Sequence, residues 1–159
     1  DRAAKWLAKD IMPLIWDNVP DAHLYIVGKN SDITQSDLNG VNISVIGQVE
    51  SMLPFLNSTD ICVIPLRHES GTRFKIIQAG AAKMACVSTT LGAEGLNVEN
   101  NRHLLIGDTP IEFSQAVIEL LLDKEKAIKI GKALHSLVKS DYGLNVQKKE
   151  AIKILNEHF

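Results

Sequence analysis

Short apolar runs alternate with amphipathic helical stretches along the chain, and this alternation constrains the fold more than any other feature. The spacing predicts strands at 23–27, 43–46, 60–65 and 85–89, with a weak fifth at 103–106. Helical periodicity marks the intervening stretches, at 2–17, 50–56, 72–82, 110–122, 124–139 and 145–156. Strands separated by helices form βαβ units. The sequence therefore predicts an α/β fold, a doubly wound parallel sheet with helices on both faces.

Length and composition restrict the class of protein further. The chain has 159 residues, 17 of them Lys or Arg and 19 Asp or Glu, for a formal net charge of −2. One domain spanning 1–159 is expected at this length, and the charge balance argues against a nucleic-acid partner. No apolar run reaches the length of a transmembrane segment. Cys62 and Cys86 lie inside apolar runs and are expected to be reduced core residues of a cytoplasmic protein.

The segment 67–79 carries the densest functional signal. A buried strand runs into a loop with Gly71, and Thr72 is placed to cap the next helix. The first turn of that helix contains Arg73 and Lys75, although cations are unfavourable at the positive end of a helix. Two extra cations there indicate a binding site for an anion, most simply a phosphate. The alternative left open is that both are ordinary solvated charges.

Helical geometry also predicts which face of that helix is buried. At about 100° per residue, Lys75 and Gln78 share a polar face with Gly71 and Ala82. A second face is expected to pack on the sheet, and it is formed by Phe74, Ile77 and Ala81.

A family resemblance rests on this segment and on the strand and turn that come after it. The residues at 71–79, 81–82, 87–90 and 92–96 closely resemble the group 1 (family 4) glycosyltransferases. More narrowly, they resemble the carboxyl-terminal donor-binding domain of those enzymes, which have the GT-B fold. The resemblance implies a retaining transfer of a sugar from a nucleotide-diphosphate sugar, with no bound metal and no other cofactor. It also implies a glycan or lipid-linked acceptor held by an amino-terminal domain.

The resemblance implies a role for each matching residue. Gly47 and Val49 would lie along the nucleobase, and Gly71 and Thr72 would hold the diphosphate. Arg73 and Lys75 would be the catalytic cations that neutralise the leaving group. Gln78 would bind the ribose hydroxyls, and Gly92 and Glu94 would border the sugar site.

Several positions depart from the family pattern. Gln78 stands where the family normally has Glu, and an amide lacks the charge-assisted part of a hydrogen bond to ribose. Lys83 and Ala85 replace a Gly and a Pro, so the turn they occupy is expected to have changed shape. The family's first strand is absent before Asp1, and so is its amino-terminal domain. The isolated chain is therefore expected to be inactive as a transferase.

Two further classes of function stay open at this point. A degenerate domain could act as a structural or interaction module without donor chemistry, and a GT-B-type sugar epimerase is a third reading. Other chemistry is poorly supported, because the histidines show no ligand spacing for a metal and no hydrolase or dinucleotide motif occurs. Trp6 and Trp16 are expected to be core or domain-interface residues far from the carboxyl ends of the strands.

Overall fold

The computed structural model describes residues 2–67 and 74–143. Its strands are β1 (Leu24–Val27), β2 (Ile43–Gly47), β3 (Ile61–Ile64), β4 (Ala85–Ser88) and β5 (Leu105–Ile106). Helix α1 (Arg2–Trp6) continues through a π-helical turn (Leu7–Ile11) into α2 (Met12–Trp16). The other helices are α3 (Ser31–Thr34), α4 (Leu53–Ser58), α5 (Phe74–Ala81), α6 (Thr90–Ala93), α7 (Pro110–Leu122) and α8 (Lys124–Asp141), with a 3-10 turn at Ser36–Leu38.

The strands form two parallel sheets. β1 pairs with β2, while β4 lies between β3 and β5. The prediction of an α/β fold with parallel strands and helices on both sides is confirmed. The prediction of one sheet is corrected, because β1 and β3 each have a single paired neighbour among the described residues. The break between β1 and β3 separates an amino-terminal half, which contains β1 and β2, from a carboxy-terminal half, which contains β3, β4 and β5.

One hydrophobic core joins the two halves. It lies against α1, α2 and α7 and contains residues from both sheets, including Leu24 and Ile43 of the first and Ala85 and Val87 of the second. Trp6 packs edge-on against Phe113 in this core, with ring centroids 5.6 Å apart. Because the two sheets bury side chains in the same core, the carboxyl ends of β1 and β3 are held next to each other.

A second core belongs to the carboxy-terminal half. Cys86 of β4 points away from Ala85 and Val87 and packs with Ile76 of α5 and Leu134 of α8. Alternate residues of β4 therefore enter different cores, as expected of a strand covered on both faces. Cys62 pairs in register with Cys86, and both thiols are free. Burial raises the pKa of the Cys86 thiol.

The predicted packing face of α5 is wrong for two of its three residues, and Ile77 alone is partly buried, against the second core. Phe74 is 56% exposed and Ala81 is exposed, whereas Ile76, Ala79 and Gly80 are buried. The cause is the close packing of α5 on α8, where a Cβ at Gly80 would lie 2.6 Å from Val138 Cγ2. That contact turns the helix by about one residue, or roughly 100°, from the predicted orientation.

Other predicted boundaries are corrected by smaller amounts. Residues 90–93, for which the periodicity predicted no helix, form the short helix α6, because the Thr89 hydroxyl accepts a hydrogen bond from the Gly92 N–H at 3.0 Å. The expected helix at 50–56 begins only at Leu53. The helix predicted at 145–156 lies outside the described residues. No helix within 2–67 and 74–143 is long and apolar enough to cross a membrane.

The turn after α5 keeps a left-handed residue despite its sequence. Lys83 has φ +59°, and the N–H of Met84 donates to Ala79 O at 2.9 Å. The expectation that Lys83 changes the shape of this turn is therefore wrong. The lysine adopts the conformation that glycine usually supplies, at a cost of about 1 kcal/mol.

Candidate functional site

A crevice of about 970 Å³ opens at the break between the two halves. On one side it is lined by the end of β1 and the adjoining residues, 26–29, and on the other by Leu66 and Arg67 after β3. The rest of the wall consists of residues of α1, of the π-helical turn after it and of the segment 31–35, together with Lys75 of α5. The crevice thus lies at the carboxyl ends of the strands where the pairing order changes, which is where parallel α/β sheets usually bind ligands.

The charges on this wall are strongly unbalanced. Within the described part of the chain, the wall contains a single carboxylate, Asp10, and six cationic side chains: Arg2, Lys5, Lys9, Lys29, Arg67 and Lys75. Lys5 forms a long ion pair with Asp37 at 3.8 Å. Since the whole chain has a net charge of −2, this cationic cluster is a local feature. Such a concentration of one sign attracts an anionic ligand.

Trp6 forms part of the crevice wall, which the sequence did not reveal. The Arg67 guanidinium carbon lies 4.8 Å from the centroid of the Trp6 ring. The expectation that Trp6 is a core residue is met, because its indole is buried. The prediction that Trp6 lies far from the carboxyl ends of the strands is wrong, because α1 lines the crevice together with the ends of β1 and β3.

Lys75 is the only predicted site residue that the structure places on the crevice wall, among those it describes. Gln78 lies about one turn further along α5, half-buried and away from that wall. Gly71, Thr72 and Arg73 lie outside the described residues. The pairing of Arg73 with Lys75 around a phosphate therefore stays a prediction.

Gly47 and Val49 lie at the carboxyl end of β2, beyond the described wall of the crevice. Gly47 has φ +85°, and a Cβ there would lie 3.0 Å from the Asp32 carboxyl carbon. Its N–H donates to the Ser31 hydroxyl at 3.1 Å. These contacts give Gly47 a structural reason to be glycine, independent of any ligand.

Gly92 and Glu94 lie on or next to α6, at the carboxyl end of β4. Gly92 is buried, and a Cβ there would lie 2.4 Å from the Ser88 hydroxyl oxygen. Glu94 is exposed at the end of the helix. The base of α6 is fixed by Asp108, whose carboxylate accepts from the N–H and the hydroxyl of Thr90 at 2.8 and 2.7 Å.

A hydrogen bond that the sequence did not indicate connects the crevice to α6. The hydroxyl of Thr89, at the end of β4, donates to the carbonyl of Leu66 at the end of β3. It thereby anchors the residue that precedes Arg67. No group of three or more His, Cys, Asp or Glu side chains with metal-binding geometry occurs in the described ranges.

The fold and the crevice define an α/β domain of parallel sheets with a crevice lined by cationic side chains at its strand ends. The sequence model of the family described as "Glycosyl transferases group 1" matches residues 1–123. The chain therefore belongs to the group 1 glycosyltransferases.

Solved structures agree on the fold. The carboxyl-terminal domain of a group 1 family glycosyl transferase from Francisella tularensis superposes with a TM-score of 0.72 at 18% identity, covering 91% of this chain and 82% of that one. A glycosyltransferase from Rickettsia africae gives 0.73 at 20% identity, covering 91% and 42%. Sucrose-phosphate synthase from Thermosynechococcus elongatus gives 0.74 at 17% identity, covering 100% and 44%.

A curated relative is 23% identical over 122 residues, covering 71% of this chain. It is described as an uncharacterized 44.6 kDa protein in the cps region of Klebsiella pneumoniae. The chain spans about a third of that relative, 31% of its length.

Proposed function

We propose that this chain is the donor-binding domain of a glycosyltransferase and that its crevice binds a nucleotide-diphosphate sugar. The observation that carries the proposal is the crevice wall, with six cations and one carboxylate among its described residues. A diphosphate is the anionic part of such a donor, and its charge matches this wall. The volume of about 970 Å³ lies within the range of small-molecule sites.

The proposed reaction is a retaining hexosyl transfer without a metal. As the bond between the sugar and the diphosphate breaks, negative charge develops on the leaving phosphate, and fixed cations stabilise it. Lys75, on the crevice wall, is one of these cations, and Arg73 is assigned as the second from the family resemblance. Gly47, Val49, Gln78, Gly92 and Glu94 lie outside the described crevice wall, so the roles that the resemblance implies for them stay predictions.

The proposed setting is cytoplasmic polysaccharide assembly, together with an acceptor domain. The relative from a Klebsiella cps region supports the link to polysaccharide. The larger size of that relative, of which this chain matches 31%, supports a second domain that binds a glycan or lipid-linked acceptor.

Binding is tested by calorimetric titration with a panel of nucleoside diphosphates, each compared with its nucleoside. We expect one diphosphate to bind while its nucleoside binds far more weakly. Ligand at a hundredfold excess over its Kd should also raise the free energy of unfolding by about 2.7 kcal/mol. Absence of binding to every diphosphate at millimolar concentration would contradict the proposal.

The second candidate is a degenerate domain that no longer binds a donor. Gln78 favours it, since this side chain replaces the family's Glu and lies away from the crevice wall. The left-handed Lys83 argues against it, because the turn after α5 keeps its shape. The variant Gln78→Glu separates the two candidates. If the domain is functional, wild type should bind a nucleoside diphosphate measurably and Gln78→Glu should bind it more tightly. If the domain is degenerate, only Gln78→Glu should bind it.

A further inference from the structure

Helix α8 has a strongly basic outer face. At about 100° per residue, four exposed lysines lie within about 140° of the helix circumference. These four residues, called the lysine face below, are Lys124, Lys129, Lys132 and Lys139. Glu125 is the exposed carboxylate that shares this side of the helix. Because the whole chain has a net charge of −2, four positive charges against one negative charge are a local excess.

The lysine face has no acidic partner within the described part of the chain. The ion pairs found there leave all four lysines unpaired. Lys126, which does pair, lies on another side of α8 and contacts Glu119 of α7. Lys129 and Lys132 are three positions apart on the helix, so they are neighbours and repel each other. An anionic partner outside the described chain would relieve this repulsion.

The lysine face is separate from the crevice. On the opposite side of α8, Leu134 and Val138 are buried in the second core. None of the four lysines lies on the described wall of the crevice. An anionic partner of this face is therefore distinct from the ligand proposed for the crevice.

The shape of the lysine face favours an extended negative surface over a single small anion. Lys124 and Lys139 lie about 22 Å apart along the helix axis, at a rise of about 1.5 Å per residue, too far for one phosphate to contact both. Ile128 lies between them on the same side and is 56% exposed. A row of lysines around an exposed apolar side chain suits a bilayer surface, where the cations meet anionic headgroups and the apolar group enters the interface.

We propose that the lysine face of α8 docks on a bilayer that contains anionic lipids. The helix lies parallel to the membrane plane, with its four lysines at the headgroups and Ile128 at the boundary of the acyl chains. Packing in the second core holds α8 in place whether or not lipid is bound. Docking does not depend on donor binding, so either proposal can fail without the other.

The first test measures binding of this chain to vesicles of phosphatidylcholine, with and without phosphatidylglycerol. We expect binding to the anionic vesicles alone, and we expect high ionic strength to abolish it. Lys129→Gln combined with Lys132→Gln should lower the partition coefficient about thirtyfold, since each lysine near an anionic membrane contributes about fivefold.

The matched control combines Lys126→Gln with Arg102→Gln and removes the same amount of charge. These two side chains pair with carboxylates, of Glu119 and Glu99, and do not belong to the lysine face. The control should bind anionic vesicles nearly as tightly as wild type. Both double variants should bind nucleoside diphosphates as wild type does, because neither changes the described wall of the crevice.

The second test places a fluorescent probe on the lysine face through Ile128→Trp. Anionic vesicles should shift the emission of the added indole to shorter wavelength, because the indole leaves water for the interface. Gln115→Trp, at an exposed position of α7, is the control and should show no shift. The wild-type spectrum, recorded under the same conditions, is subtracted to remove the signals of Trp6 and Trp16.

Three results would overturn the inference. The first is a wild-type chain that does not bind anionic vesicles at low ionic strength. The second is equal vesicle binding by the two double variants, which would assign binding to another surface. The third is polyglutamate binding that needs Lys129 and Lys132, together with an Ile128→Trp emission that vesicles leave unchanged. That result would identify an acidic polypeptide, and not a bilayer, as the partner of this face.

Discussion

The two halves of the molecule differ in how their central strands are covered. All four residues of β4 are buried, with α7 on one side and α5 and α8 on the other. In β1 only Leu24 is buried, and Tyr25 remains 46% exposed. Helices of 13 and 18 residues pack on the carboxy-terminal half. On the outer face of the amino-terminal half, Phe55 of the six-residue α4 contacts Tyr25.

Partial covering of the amino-terminal half leaves an aromatic group at its surface. His23 and Tyr25 lie 4.7 Å apart between ring centroids, and Tyr25 and Phe55 lie 6.5 Å apart. These rings contact one another, but no long helix of the described chain buries them as α8 buries Cys86. The amino-terminal half therefore has fewer buried apolar contacts than its neighbour, and regions of that kind open more readily.

This difference matters for the crevice because each half contributes part of its cationic wall. Arg67 and Lys75 belong to the carboxy-terminal half, whereas Lys29 and the cations of α1 belong to the amino-terminal half. An anion bound between them would reduce the repulsion among the six cations.

The largest expected contrast comes from removing one leucine side chain in each half. Leu134 is fully buried in the second core, so Leu134→Ala should lower the free energy of unfolding by about 3–4 kcal/mol. Leu53 is 55% exposed, so Leu53→Ala should cost about 0.5 kcal/mol. Urea unfolding measures both. Equal losses would show that Leu134 contributes no more to stability than an exposed leucine does.

A matched pair of glycines gives the next largest contrast. A Cβ at Gly131 of α8 would lie 2.2 Å from the Lys83 carbonyl oxygen, and backbone atoms cannot move aside cheaply. Gly131→Ala should therefore cost about 2–3 kcal/mol, even though alanine favours helix. At Gly28 nothing lies within 4 Å of the added Cβ, and Gly28→Ala should stay within about 0.5 kcal/mol. If Gly131→Ala leaves the free energy of unfolding unchanged, α8 does not pack closely against the Lys83 carbonyl.

How much of the fold could be predicted depended on whether the signal for an element is local in the sequence. The bounds of helix α7, 110–122, can be predicted because Thr109, Pro110 and Glu112 form a local start signal that needs no tertiary information. The buried face of α5 cannot, since Gly80 permits a contact with α8 that lies far away in sequence. Local chemistry can be predicted from the chain, whereas contacts between distant elements cannot.

The candidate site obeys the same rule. Lys75 and the glycine-bearing strand ends can be predicted from local pattern and from the family resemblance. Trp6 cannot be assigned to the crevice from sequence, because it is separated from Arg67 by some sixty positions and is linked to it only by the course of α1. Similarly, the bond from Thr89 to Leu66 has no counterpart in the spacing of the sequence.

Helix capping provides a smaller contrast. The Thr109 hydroxyl accepts from the Glu112 N–H at 3.2 Å, and Glu112 reciprocates by accepting from the Thr109 N–H at 3.0 Å. Thr109→Ala should lower the free energy of unfolding by about 1 kcal/mol. In the control Ser58→Ala, an exposed hydroxyl of α4 that caps no helix is removed, and the cost should be about 0.5 kcal/mol or less. If the Thr109→Ala variant loses no more than this control, the capping box does not stabilise α7.

The smallest effect concerns the pH dependence of the same capping box. Backbone N–H groups of Thr109 and Asp108 donate to the Glu112 carboxylate and hold its pKa below the ordinary value for glutamate. Because the pKa is lower in the folded state, the stabilisation is present above the unfolded-state pKa and disappears as the pH falls through the folded-state pKa. Wild type should therefore have a higher melting temperature than Glu112→Gln at neutral pH, and the difference should vanish once the pH falls below the folded-state pKa of Glu112. Gln115→Ala, an exposed neutral position on the same helix, is the control, and its difference from wild type should not depend on pH. A difference for Glu112→Gln that persists in acid would assign the loss to the geometry of the amide rather than to the charge of the carboxylate.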